Sequence, residues 1–129
     1  TSTRNKQLLF FRRQSVDPVR WQSRAIKNPH GIPLGKAVAV ADIDRDGRLD
    51  LIHNTNTGGK RSFPGLVWMS YQKQVSEARW IPHDISGPQG VKFDLIQVLD
   101  LDGDHDLDVI TCEERDNLGV IWYENPLRP

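Results

Sequence analysis

The chain has 129 residues and a mass of 14.7 kDa, and a hydrophobic content of 37% is enough for the core of one small domain. Its 17 basic and 17 acidic side chains balance, and we expect no nucleic-acid partner. No apolar run approaches the roughly twenty residues that cross a bilayer, and the single Cys112 excludes an internal disulfide.

Short apolar runs bounded by Gly, Pro, Asn and Asp predict β-strands along the whole chain, and no segment has the pattern of a helix. In chain order the predicted strands are LLFFRRQ (8–14), WQSRAIK (21–27), AVAVAD (37–42), LDLIHNT (49–55), GLVWMSYQ (65–72), RWIPHDI (79–85), DLIQVLD (94–100), LDVITCE (107–113) and GVIWYENP (119–126). The predicted fold class is therefore all-β.

The sequence also contains an internal repeat. The segment 37–55 aligns with 95–113 at an offset of 58, and 19–31 aligns with 78–90 at an offset of 59. A unit of four short strands over this length has the size of a β-propeller blade. We therefore expect strands three and four of one blade (1–34), a complete four-stranded blade (35–89) and strands one to three of the next (90–129). Because about four to eight blades are needed to close a ring, further blades of the same chain or other copies are expected.

Two loops of the repeat are rich in aspartate, DIDRDGRLD (42–50) and DLDGDHDLD (100–108). Crowded carboxylates repel one another, and Ca²⁺, which binds about six to eight oxygens, relieves this repulsion. The expected ligands of the first loop are the side chains of Asp42, Asp44, Asp46 and Asp50 and the carbonyl of Arg48. Those of the second are the side chains of Asp100, Asp102, Asp104 and Asp108 and the carbonyl of Asp106. The alternative is that both loops are ordinary polar turns.

An EF-hand does not fit, since its twelfth position requires Glu and is here His53 or Thr111, with strands on both sides. The doubled loop instead resembles the FG-GAP and VCBS repeats of integrin-like β-propellers, over nearly the whole chain. This resemblance implies antiparallel four-stranded blades and a calcium loop between the first two strands of a blade. The sixth position is Gly47 in one loop but His105 in the other, so we expect the second turn to be strained or different.

Other residues that can carry chemistry are few. At the positions of the repeat that are equivalent to the histidines, the other copy has different residue types. This favours surface or interface positions over metal binding for His30, His53, His83 and His105. The blade period favours packing over a sugar platform for Trp21, Trp68, Trp80 and Trp122. Acid–base chemistry on a glycoside stays open for Glu113, Glu114 and Glu124.

The expected function is a non-catalytic calcium-binding propeller module, extracellular or periplasmic, that binds a protein or polysaccharide. Lys60, Arg61 and Phe63 are predicted to bind that ligand, because the excursion 54–65 departs from a rigid scaffold. An idle loop is equally consistent with this excursion. Two further functions stay open: a propeller enzyme acting on sugars, of the lyase or dehydratase kind that the resemblance permits, and a pure scaffold.

Overall fold

The computed structural model describes residues 7–26, 28–29, 32–55, 63–72 and 79–127. These residues contain nine β-strands and no α-helix, which confirms the all-β class. The strands are β1 (Leu8–Ser15), β2 (Arg20–Ile26), β3 (Val38–Ala41), β4 (Asp50–Asn54), β5 (Leu66–Gln72), β6 (Arg79–Asp84), β7 (Phe93–Leu99), β8 (Asp108–Glu113) and β9 (Gly119–Tyr123). Each one overlaps a segment that the apolar pattern predicted as a strand.

The strands form three antiparallel sheets in which neighbours in sequence are neighbours in space. The first sheet contains β1 and β2, the second contains β3 to β6, and the third contains β7 to β9. None of the three closes on itself. The described chain is therefore a series of open meanders, and a closed propeller stays an expectation.

The second sheet lies between the other two and is covered on both faces. Alternation along β5 turns Met69 and Tyr71 to one face and Leu66 and Trp68 to the other. On the first face they pack with Leu8, Ile26, Leu34 and Trp80. On the second face the neighbours are Ala41, Ile43, Ile52 and Val109. Both faces of this central sheet thus contribute apolar burial, at about 1.5–3 kcal/mol for each large side chain.

The outer faces of the first and third sheets are exposed. Trp21 on β2 is 60% exposed, and Trp122 on β9 is 44% exposed. Trp80, which packs between the first and second sheets, is 7% exposed. Trp21 and Trp122 therefore do not pack in a core among the described residues, and their packing between blades stays a prediction. A repeat period indicates equivalent positions but does not indicate which of them a neighbouring sheet covers.

Phe93 joins the second and third sheets. Its side chain is 0% exposed, and a Cβ added to Gly65 would collide with its ring. The amide of Asn54 donates to the carbonyl of Phe93 and also accepts a bond of 2.9 Å from the backbone N–H of Ala37. These contacts fix the sheet that carries the first aspartate loop against the sheet that carries the second.

Candidate metal centres

The two aspartate loops occupy equivalent places in their sheets. The first joins β3 to β4 and is closed by the antiparallel pair Ala41–Asp50. The second joins β7 to β8 and is closed by the pair Leu99–Asp108. The last aspartate of each loop is therefore also the first residue of a strand, which fixes its position relative to the others.

Both loops are held by the same four hydrogen bonds from a backbone N–H to an aspartate carboxylate. In the first loop, the donor and acceptor pairs are Ile43–Asp50, Asp46–Asp44, Gly47–Asp42 and Arg48–Asp46. In the second, they lie 58 residues later and are Leu101–Asp108, Asp104–Asp102, His105–Asp100 and Asp106–Asp104. The bonds measure 2.8–3.2 Å in the first loop and 3.0–3.2 Å in the second. The repeated sequence therefore folds into a repeated local structure.

The turn at the sixth position is of the same kind in both loops, so the expectation of a different turn is wrong, whereas the alternative expectation of a strained turn is confirmed, because a residue other than glycine has a positive φ there. His105 adopts a φ of 74°, close to the 84° of Gly47. The fourth position is left-handed as well, with a φ of 58° at Arg45 and 83° at Gly103. Each loop thus has one glycine and one larger residue at its two left-handed positions. The cost of about 1 kcal/mol for a larger residue falls on both loops.

In the first loop, one oxygen from each of Asp42, Asp44 and Asp50 lies within 4.8 Å of the other two. Asp50 is 1% exposed, and its Oδ1 is buried without a hydrogen-bond partner, as is Oδ1 of Asp42. Burial raises the pKa of Asp50 to about 6; the Ile43 N–H opposes this rise, and the nearby loop carboxylates add to it. The fourth predicted side chain, Asp46, instead accepts a hydrogen bond from the Arg48 guanidinium.

In the second loop, the three clustered carboxylates are Asp100, Asp102 and Asp104, again within 4.8 Å. Both oxygens of the predicted ligand Asp108 accept backbone N–H bonds, at 3.2 Å from Leu101 and 2.9 Å from Asn125. The two loops therefore differ in which aspartate completes the group of three.

Sequence reasoning missed the side chain of Asp106, for which only the backbone carbonyl was expected as a ligand. This residue is 1% exposed, and neither carboxylate oxygen has a hydrogen-bond partner. Burial and the neighbouring Asp104 and Asp108 raise the pKa of Asp106. One feature of the sequence could have indicated this role: the seventh position of the second loop is an aspartate, whereas the seventh position of the first loop is Arg48. The carbonyl ligands at Arg48 and Asp106 stay predictions.

This chemistry suits a hard cation. Two oxygens on opposite sides of an ion at about 2.4 Å are about 4.8 Å apart, so groups of this size can share one ion. Buried carboxylate oxygens without donors are costly, at about 1–3 kcal/mol or more for each unsatisfied group. A divalent cation would satisfy these oxygens and offset the repulsion between the carboxylates.

Glu113 is a structural anchor and is not free for acid–base chemistry. It is 2% exposed, and its carboxylate accepts N–H bonds from five residues, Val91, Lys92, Arg115, Asp116 and Leu118. Desolvation raises its pKa, but the backbone donors outweigh that effect and lower the pKa to about 2. Glu114 contacts the ammonium of Lys92.

The described histidines differ in environment. His53 is 0% exposed within β4, so the expectation of a surface position is wrong for it, whereas an interface position stays a prediction. His83 stacks on Trp68 with ring centroids 3.9 Å apart, and its Nε2 lies 2.9 Å from Ser70 Oγ. Burial lowers the pKa of His83, against the effect of Asp44. His105 is exposed at the second loop, and His30 lies outside the described residues.

Of the residues predicted to bind a partner, Phe63 is half-buried, while Lys60 and Arg61 lie outside the described residues. Among the described residues, no helix is long and apolar enough to cross a membrane. Comparison of the chain with protein-family models, with curated proteins and with solved structures gives no match.

Proposed function

We propose that this protein is a calcium-binding β-propeller segment in which each aspartate loop holds one Ca²⁺. The observation that carries the proposal is a set of buried carboxylate oxygens without hydrogen-bond partners. In the first loop they belong to Asp42 and Asp50, both members of the group of three, and in the second they belong to Asp106, which lies outside the group but is close enough for Asp104 to affect its pKa. Backbone N–H groups satisfy other oxygens of the same loops, so the unpartnered ones mark where a cation would bind. Calcium is preferred to magnesium because it accepts irregular sets of carboxylate and carbonyl ligands, whereas magnesium demands near-octahedral geometry.

The propeller is supported by the way in which the sheets pack. Three antiparallel meanders follow one another, and the second is covered on both faces by its neighbours. The outer faces expose large apolar side chains, including Phe11 at 55% and Val120 at 79%. Additional sheets, from the same chain or from other copies, would cover these faces and complete a ring.

In this function, calcium stabilises the scaffold and the ring presents a surface to a protein or polysaccharide. In an extracellular or periplasmic location, dissociation constants of about 10⁻⁴–10⁻³ M, as in extracellular calcium modules, would be sufficient. Binding to the folded state alone would stabilise it by about 2.7 kcal/mol at a hundredfold excess over Kd.

The test combines calorimetric titration with thermal unfolding. We expect two calcium ions per chain and a higher Tm with calcium than with a chelator. Asp50→Asn should remove one site, and Asp106→Asn should weaken the other, whereas Asp116→Asn, a matched change at an exposed aspartate outside both loops, should leave two. A folded chain that binds no calcium at millimolar concentration, and whose Tm does not respond to a chelator, would overturn the proposal.

Asp50→Asn also separates loss of binding from loss of folding. Removal of a buried charge that faces other carboxylates should leave the calcium-free protein as stable as before or more so. Only the stabilisation by calcium should decrease. Equal stabilisation of the wild type and this variant by calcium would exclude the first loop as a site.

A further inference from the structure

A cleft with a volume of about 400 Å³ lies between the second and third sheets, next to the first aspartate loop. Aliphatic side chains such as Ile85 and Leu107 line it, together with the rings of Trp68 and Tyr123. Its volume is within the range of about 300–1,000 Å³ that is usual for small-molecule sites. The cleft is built by strands from two sheets that Phe93 and Asn54 hold together, so it belongs to the packed part of the fold.

The charged side chains that line this cleft all have the same sign. They are Asp44 from the first loop, Asp84 from the end of β6 and Glu124 from the segment after β9. No Lys, Arg or His lines the cleft among the residues that the structure describes. Burial raises the pKa of the Tyr123 phenol, and Asp84 raises it further, as expected beside a negatively charged and partly dry wall.

We propose that the cleft binds a small organic cation with an apolar body, such as an aryl- or alkylammonium ion. The body would lie against the aliphatic side chains and the two rings, and the ammonium would lie close to Asp84 and Glu124. Cations are attracted both to carboxylates and to the faces of Trp and Tyr rings. His83 stacks on one face of Trp68, which leaves the opposite face of that ring and the ring of Tyr123 for this contact. This site goes beyond calcium binding, because Asp84 and Glu124 lie outside both aspartate loops.

Other ligand classes fit the lining less well. An anion would be repelled by three carboxylates. A neutral sugar needs a dense set of polar partners, whereas most of this wall is apolar. An apolar cation matches both the aliphatic wall and the charge.

The test compares three ligands that share a benzene ring but differ in their polar group, together with one neutral sugar. The full chain is titrated near neutral pH with benzylamine, which is then an ammonium ion, and with benzyl alcohol, benzoate and methyl glucoside. Binding is followed by NMR or calorimetry. We expect the ammonium ion to bind about tenfold more tightly than the alcohol, and benzoate and the sugar not to bind. Equal affinity for amine and alcohol, tighter binding of the sugar, or no binding of the amine at millimolar concentration would overturn the inference.

Two variants and a matched control locate the site. Glu124→Gln and Asp84→Asn should each weaken benzylamine severalfold, whereas Asp116→Asn removes the same charge outside the cleft and should have no effect. Asp84→Asn retains the side-chain oxygen that accepts a bond of 2.7 Å from the N–H of Gly87, so the turn should persist. An effect of Asp116→Asn as large as that of Glu124→Gln would indicate attraction by the net charge alone and would overturn the site.

Titration with calcium and with a chelator separates this inference from the proposed calcium function. Benzylamine should bind in the chelator, and somewhat more weakly with calcium, because Asp44 would then be engaged by the ion. Loss of amine binding in the chelator, with the fold retained, would overturn the inference. A chain that binds the amine but no calcium would support the cleft and refute the calcium proposal.

Discussion

The side chain of Asn125 donates a hydrogen bond of 3.0 Å from its Nδ2 to the carbonyl of Ile43 in the first aspartate loop. The same Nδ2 donates to the carbonyl of Leu107 at 3.2 Å, and the backbone N–H of Asn125 donates to Asp108 at 2.9 Å. Asn125, which follows β9, therefore contacts both aspartate loops. If ion binding orders one loop, these bonds transmit that order to the other.

We expect calcium binding at the two loops to be cooperative, with occupancy of one raising the affinity of the other about fivefold or more. Asn125→Ala should reduce this factor towards one, because it removes both side-chain bonds. Titrations of the wild type, Asp50→Asn, Asn125→Ala and the double variant measure the coupling. Gln97→Ala, an exposed polar residue on the third sheet, is the control. Independent sites in the wild type would contradict this prediction.

Replacement of Glu113 by Gln should lower the free energy of unfolding by about 2–4 kcal/mol, because several backbone N–H groups lose a charged acceptor. The adjacent Glu114→Gln removes an exposed carboxylate that contacts Lys92 and Asp94 and should cost less than about 1 kcal/mol. Urea unfolding above pH 5 measures both. Similar losses in the two variants would show that the bonds to Glu113 contribute little.

The same carboxylate predicts an acid dependence of stability. Its pKa is lowered from 4.5 to about 2 on folding, so its contribution is complete above pH 4.5 and is lost as the pH falls towards 2. The unfolding free energy of the wild type should therefore decrease over this interval. The decrease should be smaller in Glu113→Gln, and equal slopes in the two proteins would contradict the assignment.

Asp50 predicts a pH dependence of stability with the opposite sign in the calcium-free protein. Its pKa is raised from 3.8 to about 6, so the folded state holds this proton more tightly than the unfolded state. Its contribution to stability is therefore greatest below pH 3.8 and is lost as the pH rises through 6. In a chelator at neutral pH, Asp50→Asn should match or exceed the wild type in Tm. Calcium should reverse this order, and a variant that is less stable in both conditions would contradict the prediction.

Gly65→Ala should destabilise the protein by about 1–3 kcal/mol, because the new methyl group would overlap the ring of the fully buried Phe93. Phe93→Leu alone leaves space and should also be destabilising. In the double variant, the smaller leucine side chain should accommodate the new methyl group. The double variant should therefore lose less free energy of unfolding than the sum of the losses in the two single variants. Strictly additive losses would show that the two positions do not compete for space.

The strands and the places of the two aspartate loops between them could be predicted from the sequence because both depend on neighbouring residues. The apolar run of β5 and the aspartates at alternate positions are local patterns. The burial of Asp106 and the exposure of Trp122 could not be predicted, because each depends on whether a distant segment covers that position. The cleft was missed for the same reason, since Asp44, Asp84 and Glu124 come from three separate segments.

The left-handed positions of the two loops bear on how such loops diverge. Because the fourth and sixth positions both have positive φ, glycine can occupy either one, as Gly47 and Gly103 do. A search pattern that requires glycine at the sixth position would find the first loop and overlook the second. A structural search that requires positive φ at the fourth and sixth positions, and only aspartate as a fixed residue type, would recognise both loops. The same search would also detect copies whose sequences have diverged further.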